Sequence, residues 1–175
     1  MKITILILLS SLLFAKKASS ECDISYNLLY SIASVEAHPK RGIGYPFLIS
    51  FNKSRDSSKV RSKYKNKFID KRSIDCESKE KCTKIFKYLR SVGITNLDLG
   101  AFQINYNYHK IKIENYFNLS QSYKKACDIL MNLKSSYGWN WNTVGKYHSF
   151  TKKRSRAYAS RVYEKYININ KKLLK

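Results

Sequence analysis

Glu36 is the residue of this chain best placed to act as an acid. It closes the stretch Asp23 to Pro39, in which Ile24, Leu28, Ile32 and Val35 recur at three- and four-residue spacing and form one apolar helix face that must pack inward. Glu36 follows Val35 and stands one turn after Ile32, so its carboxyl emerges at the edge of the buried face, where loss of water disfavours the charged form. Pro39 stops the helix at about His38, which leaves Glu36 in the last turn, near the negative end of the helix dipole, a second push in the same direction. A carboxyl held protonated near neutral pH is a general acid. Further polar residues lie between Ile94 and Tyr108, where Asp98, Gln103 and Asn105 stand among aromatics around the pair Gly100 and Ala101, with no clean helical period. Gly100 permits close backbone approach, and Gln103 and Asn105 can each donate and accept hydrogen bonds, as a cleft that binds hydroxyls and amides requires. A buried strand with a turn would have the same texture.

Helices supply most of the frame. Cys82, Ile85, Phe86, Leu89 and Val92 share helical spacing and Gly93 follows as a stop signal, which predicts a helix from about Ser78 to Val92. Tyr123, Ala126, Cys127, Leu130, Leu133 and Tyr137 predict another that ends at Gly138, and a shorter helix after Asn140 or Asn142 carries Val144 and Tyr147. A last helix runs from about Arg154 to Leu173 with Tyr158, Val162, Tyr166 and Ile169 on one face, a spacing at which tyrosines belong to a core. Between Gly42 and Phe51 glycine and proline break any helix, and Phe47, Ile49 and Phe51 alternate as in a short strand. Residues 53–72 are mostly Lys, Arg, Ser and Asn and read as a solvated loop or ribbon. The class is therefore mainly α, of the α+β kind, with one helical domain over residues 21–175.

The N-terminus carries Lys2, an apolar run from Ile3 to Ala15, then Lys16, Lys17 and the small residues Ala18, Ser19 and Ser20. That order is a secretory signal peptide over residues 1–20, cleaved after Ser20, with an uncleaved anchor as the alternative. No other stretch is apolar enough to span a bilayer. Cys22, Cys76, Cys82 and Cys127 are an even set in an exported chain and read as two disulfides. Of three pairings, Cys76 with Cys82 closes a short local loop and leaves Cys22 to tie onto Cys127 across a long one. The cysteine spacing and the scattered His38, His109 and His148 give no metal-site pattern, and no cofactor motif is present. The formal charge of +22 favours an anionic partner: nucleic acid, anionic lipid or an acidic cell-wall polymer. Nucleic acid is the weakest candidate, since the chain carries no recognisable nucleic-acid motif and is read as exported.

Four motifs in order resemble a known family. Ser31 to Glu36 reads Ser-Ile-Ala-Ser-Val-Glu, Asp98 to Asn105 reads Asp-Leu-Gly-Ala-Phe-Gln-Ile-Asn, Val144 to His148 reads Val-Gly-Lys-Tyr-His, and Tyr158 to Val162 reads Tyr-Ala-Ser-Arg-Val, with Tyr166 following. Together they resemble Slt-type lytic transglycosylases, closest to the small specialised members that accompany secretion or conjugation machinery. The resemblance implies a lysozyme-like fold and cleavage of the MurNAc–GlcNAc bond of peptidoglycan glycan strands with formation of a 1,6-anhydro sugar. With the signal peptide the expected setting is periplasmic, and the expected protein is a monomer without cofactor or metal. By position, Glu36 resembles the single catalytic acid/base. Gly100, Phe102 and Gln103 match the motif usually written Gly-Leu-Met-Gln-Ile, with Phe102 in place of methionine. Tyr147 falls on the tyrosine of an Ala-Tyr-Asn motif and Tyr158 on a tyrosine that borders the catalytic glutamate. With Asn105, these are the substrate-binding candidates. The family's cysteine pattern supports the Cys22–Cys127 pair.

Ala37, Lys146 and His148 depart from the family's usual residues, and the separation of Glu36 from Gly100 exceeds its norm. The added part is a basic, cysteine-containing insertion at about residues 42–92. Two other readings stay open: a muramidase that uses Asp98 as its second carboxylate, and a non-catalytic, basic peptidoglycan-binding component of a secretion system.

Overall fold

The computed structural model describes residues 22–173, so the segment read as a signal peptide lies outside the described residues. In chain order the elements are α1 (Tyr26–Glu36), β1 (Leu48–Phe51), α2 (Ser54–Val60), β2 (Ser73–Asp75), α3 (Lys79–Ser91), β3 (Leu97–Leu99), β4 (Ile104–Asn105), α4 (Ile113–Tyr116), α5 (Leu119–Tyr137), α6 (Trp141–Lys146) and α7 (Lys152–Leu173). More than half of the described residues are helical, so the class is mainly α with a small antiparallel sheet. None of the described helices is long and apolar enough to cross a membrane. The described residues divide into two compact units, one made of residues 22–35 and 123–173, the other Glu36–Ser122.

The first unit is helical. Leu28, Leu29, Ile32 and Ala33 of α1 are buried, as are Ala126, Leu130 and Leu133 of α5 and Tyr158, Ala159 and Val162 of α7. Each set repeats at three or four residues, which puts it on one face of its helix. Cys22 is bonded to Cys127 with the Cα atoms 6.1 Å apart, Lys134 Nζ reaches Asp23 at 2.6 Å, and Asn27 Nδ2 donates to Asn170 Oδ1 at 2.6 Å. Asn140 caps α6 by accepting from the Thr143 amide at 3.0 Å. Helices α6 and α7 cross closely at Gly145, where any side chain would run into the Ser155 backbone.

The second unit is built on the sheet, in the order β2-β1-β3-β4 with every neighbour antiparallel. Ile49 of β1 faces Ile74 on one side and Leu99 on the other, and all three are fully buried. Helix α3 begins at Ser78, whose side chain accepts from the Lys81 amide, and stops before Gly93 with φ +78°. It packs on β1 through its apolar face, with Phe86 and Leu89 at 0% exposure. Cys76 and Cys82 are bonded, with the Cα atoms 4.9 Å apart.

Residues 53–72 differ from the solvated loop expected of them. Helix α2 and a 3₁₀ turn at Lys65–Lys67 occupy much of this stretch, with Ser57 and Val60 buried. One apolar residue and one small residue three positions apart seat a two-turn helix, too faint a period to see among lysines. The segment at 42–92 also supplies β1, β2 and α3, and β1 lies inside the sheet. Val92 and Tyr137, placed on apolar helix faces by spacing, are 44% and 50% exposed at the ends of their helices, where the face runs out.

Candidate functional site

Glu36 is the last residue of α1 and the first of the sheet-containing unit, and it is part-buried. The helix stops two residues earlier than Pro39 alone requires. The chain just beyond it is clamped to the segment that leads into and through β2. The Lys40 amide donates to His38 Nδ1 at 3.1 Å, which assigns the ring proton to Nε2, and Nε2 lies 3.0 Å from Asp70 Oδ2. Lys40 Nζ donates to the Ile69 carbonyl at 2.8 Å. Asp75, 3% exposed, receives Arg41, the Tyr45 hydroxyl at 2.8 Å and the Glu77 amide at 2.8 Å. A buried carboxylate met by a guanidinium and two further donors is satisfied, and removal of one partner would be costly. Asp70 also accepts the Arg72 and Ser73 amides, both at 2.6 Å.

These two aspartates are what sequence reasoning missed. The signal available was their isolation: Asp56, Asp70 and Asp75 are the only acids among the basic residues between Lys53 and Cys76. A carboxylate retained in such a run is a candidate for a specific cation.

The polar cluster at 94–108 is the hairpin of β3 and β4, closed by the four residues Gly100 to Gln103. Gly100 has φ +73°, and a Cβ there would overlap the carbonyl oxygen of Tyr116 and approach its carbonyl carbon to 3.0 Å. Glycine is therefore required both by conformation and by space. Gln103 takes φ +44°, a left-handed conformation that is uncommon for a residue with a side chain. Its backbone amide and its Nε2 both donate to the Gly100 carbonyl, at 3.2 and 2.8 Å, and hold the turn. Asn105 donates through Nδ2 to Asp98 Oδ1 at 2.8 Å and to Asn96 Oδ1 at 3.1 Å, while its own Oδ1 accepts the Asn107 amide at 3.0 Å. Asn105 thus staples the hairpin across its strands, with both Nδ2 hydrogens engaged. Burial pushes the Asp98 carboxyl above the usual aspartate range, against the opposing pull of hydrogen bonds from Asn52 and Asn105. Phe102 is 2% exposed and so forms part of the core behind the turn.

In the helical unit, Tyr147 caps α6 and is part-buried, and Tyr158 of α7 is 1% exposed. Their rings stack with centroids 6.3 Å apart, and the His148 ring lies flat on Tyr158 at 4.9 Å. The His148 residue as a whole is exposed, but partial desolvation of its ring against Tyr158, with the charges of Arg161 and Arg154, lowers its pKa from the ordinary histidine value. The structure thus brings Gly100, Gln103, Asp98 and Asn105 together in one hairpin, and Tyr147 with Tyr158 in one aromatic stack. Among the described residues no group of three His, Cys, Asp or Glu could hold a metal ion. Comparison with protein-family models, curated proteins and solved structures finds no match to this chain.

Proposed function

We propose that the chain is a lytic transglycosylase of peptidoglycan with Glu36 as its single acid/base. The position of Glu36 carries the reading. It ends α1, part-buried, and the chain directly after it is tied down through His38, Lys40 and Arg41. A proton donor must be held within hydrogen-bond reach of the bond it cleaves, and a clamped helix end supplies that rigidity. Asp98 supports the one-carboxyl version: it is bound by Asn105 and Asn52, and burial disfavours its charged form. A hydrolase would need a second, ionised carboxylate free to flank the bond. The strained Gln103 adds support, since left-handed non-glycine residues concentrate at ligand clamps and active sites.

In this mechanism the protonated Glu36 carboxyl donates to the oxygen joining MurNAc to GlcNAc as the C1–O bond breaks. The substrate's own N-acetyl group stabilises the cationic centre. Glu36, now ionised, takes the proton of the C6 hydroxyl while that oxygen closes on C1. The product is 1,6-anhydroMurNAc, the acid is restored, and no water is consumed. A periplasmic setting, with the enzyme opening the wall for a secretion apparatus, belongs to the same proposal. The two disulfides fit an oxidising compartment.

The test is mass spectrometry of soluble muropeptides released from purified peptidoglycan, with Glu36→Gln as the paired variant. The expected products are lighter by one water than reducing-end sugars, and the variant should release them roughly 10²–10⁴-fold more slowly. Reducing-end products would overturn the transglycosylase chemistry. Retention of the protein on the polymer with no product would overturn catalysis in favour of a wall-binding component.

A further inference from the structure

The helical unit carries a surface that the proposed chemistry does not use. Tyr137, Trp139, Trp141, Phe150 and Tyr163 are all exposed, from 36% at Trp141 to 65% at Phe150. They form two contiguous groups. Tyr137 and Phe150 pack edge to face at 5.9 Å, with Lys146 Nζ 4.5 and 5.3 Å from their ring centres. Trp141 packs edge to face on Tyr163 at 4.9 Å. Tyr137 and Trp141 are four residues apart, so about 14 Å of chain at most separates the groups. Trp139 lies between them in sequence. Cations predominate around this surface: the 35 residues from Ile129 to Tyr163 contain seven Lys and Arg and no Asp or Glu, although Lys134 is paired with Asp23 and Glu164 follows Tyr163.

We infer that this surface docks the protein reversibly onto an anionic lipid bilayer. Exposed apolar groups of this size on one unit mark a contact site. Tryptophan and tyrosine have an apolar body and a polar tip suited to the headgroup level, and lysine and arginine beside them meet the lipid phosphates. A glycan platform needs flat, accessible ring faces and carboxylates or amides to grip hydroxyls. Here the rings interlock edge to face, no carboxylate stands in the stretch, and of the amides beside Trp141 the Asn140 side chain is committed to capping α6, which leaves Asn142 as the exposed one. Phe150, the most exposed ring, can make no hydrogen bond. The contact is peripheral, since none of the described helices can span a membrane.

Both tryptophans of the chain lie in this surface, so its docking has a direct optical signal. The protein is mixed with vesicles of phosphatidylglycerol and phosphatidylethanolamine, and with vesicles of phosphatidylcholine. The expected result is a blue shift of tryptophan emission and co-sedimentation with the anionic vesicles, lost at high salt. Replacing Lys146, Lys152 and Lys153 by Gln should weaken that binding roughly a hundredfold, at about fivefold per cation. Phe150→Ser, at a site too exposed to affect folding, should weaken it about tenfold or more. The ratios are read in a chain from which the apolar N-terminal run, residues 3–15, has been removed, so that this run cannot hold the vesicle by itself. Equal binding to neutral vesicles, or binding that neither variant changes, would overturn the inference. So would tryptophan shifts produced by peptidoglycan fragments or duplex DNA but not by anionic vesicles.

Discussion

Removing each disulfide separately should cost very different amounts of stability. The bond from Cys22 to Cys127 closes a loop of 105 residues in sequence, which contains the whole sheet unit, whereas Cys76 to Cys82 closes six. In the chain-entropy account the long loop contributes about 4.8 kcal/mol at 25 °C and the short one about 2.3 kcal/mol. For a chain of this length that corresponds to losses in Tm of about 10–19 °C against about 5–9 °C. Paired alanine variants, C22A/C127A and C76A/C82A, are the right perturbation. Serine at Cys76 and Cys82, both 0% exposed, would bury hydroxyls at a further cost of about 1–3 kcal/mol each and mask the difference. The assay is thermal unfolding in oxidising buffer, followed by far-ultraviolet circular dichroism and by tryptophan emission. Trp139 and Trp141 both lie in the unit that Cys22–Cys127 ties together, so the emission transition should move most in C22A/C127A. Equal losses, or a larger loss from the short-loop pair, would refute the loop-closure reasoning.

Three further outcomes follow from the site. Gly100→Ala should lower stability by roughly 3 kcal/mol or more, since a left-handed alanine costs about 1–2 kcal/mol and the Cβ must displace the Tyr116 carbonyl; an unchanged urea midpoint would contradict this. Asp98→Asn should keep cleavage within about tenfold of wild type. It should also be at least as stable at pH 7, because a carboxyl whose folded pKa is raised weakens the fold as pH climbs through that value. Loss of cleavage in this variant would return Asp98 to the chemistry. His148 has the opposite sense: its folded pKa lies below 6.5, so the stability it contributes is present above that pH and is lost as pH falls through the folded value. The emission-monitored Tm of wild type should therefore drop more steeply on acidification than that of His148→Gln, and parallel curves would rule this out.

Much of the frame is legible in the sequence because it rests on local signals. The apolar period from Leu28 to Ile32, the cap at Ser78, the stop at Gly93 and the long face of α7 each depend on residues within a turn or two of one another. The cysteine pairs could be read from loop length. What lies beyond local reach is different in kind. Strand β2, Ser-Ile-Asp, is too short for its alternation to be a signal, and only its pairing with β1 makes it a strand. Helix α2 exists because Val60 finds a core, not because its serine-rich, charged sequence favours one. The candidate site divides along the same line. Glu36 at a helix end, Gly100 in a turn and the amides after it could be picked out by residue type and position. That Asp70 and Asp75 hold the chain after Glu36 could not, because those contacts join residues about thirty apart that meet only when the sheet forms. That Asn105 is committed to Asp98 and Asn96 likewise needed the register of β3 on β4. Helix periods and caps are written in neighbouring residues, whereas strand register and buried ion pairs are settled by chain closure, and that is a property of the tertiary structure alone.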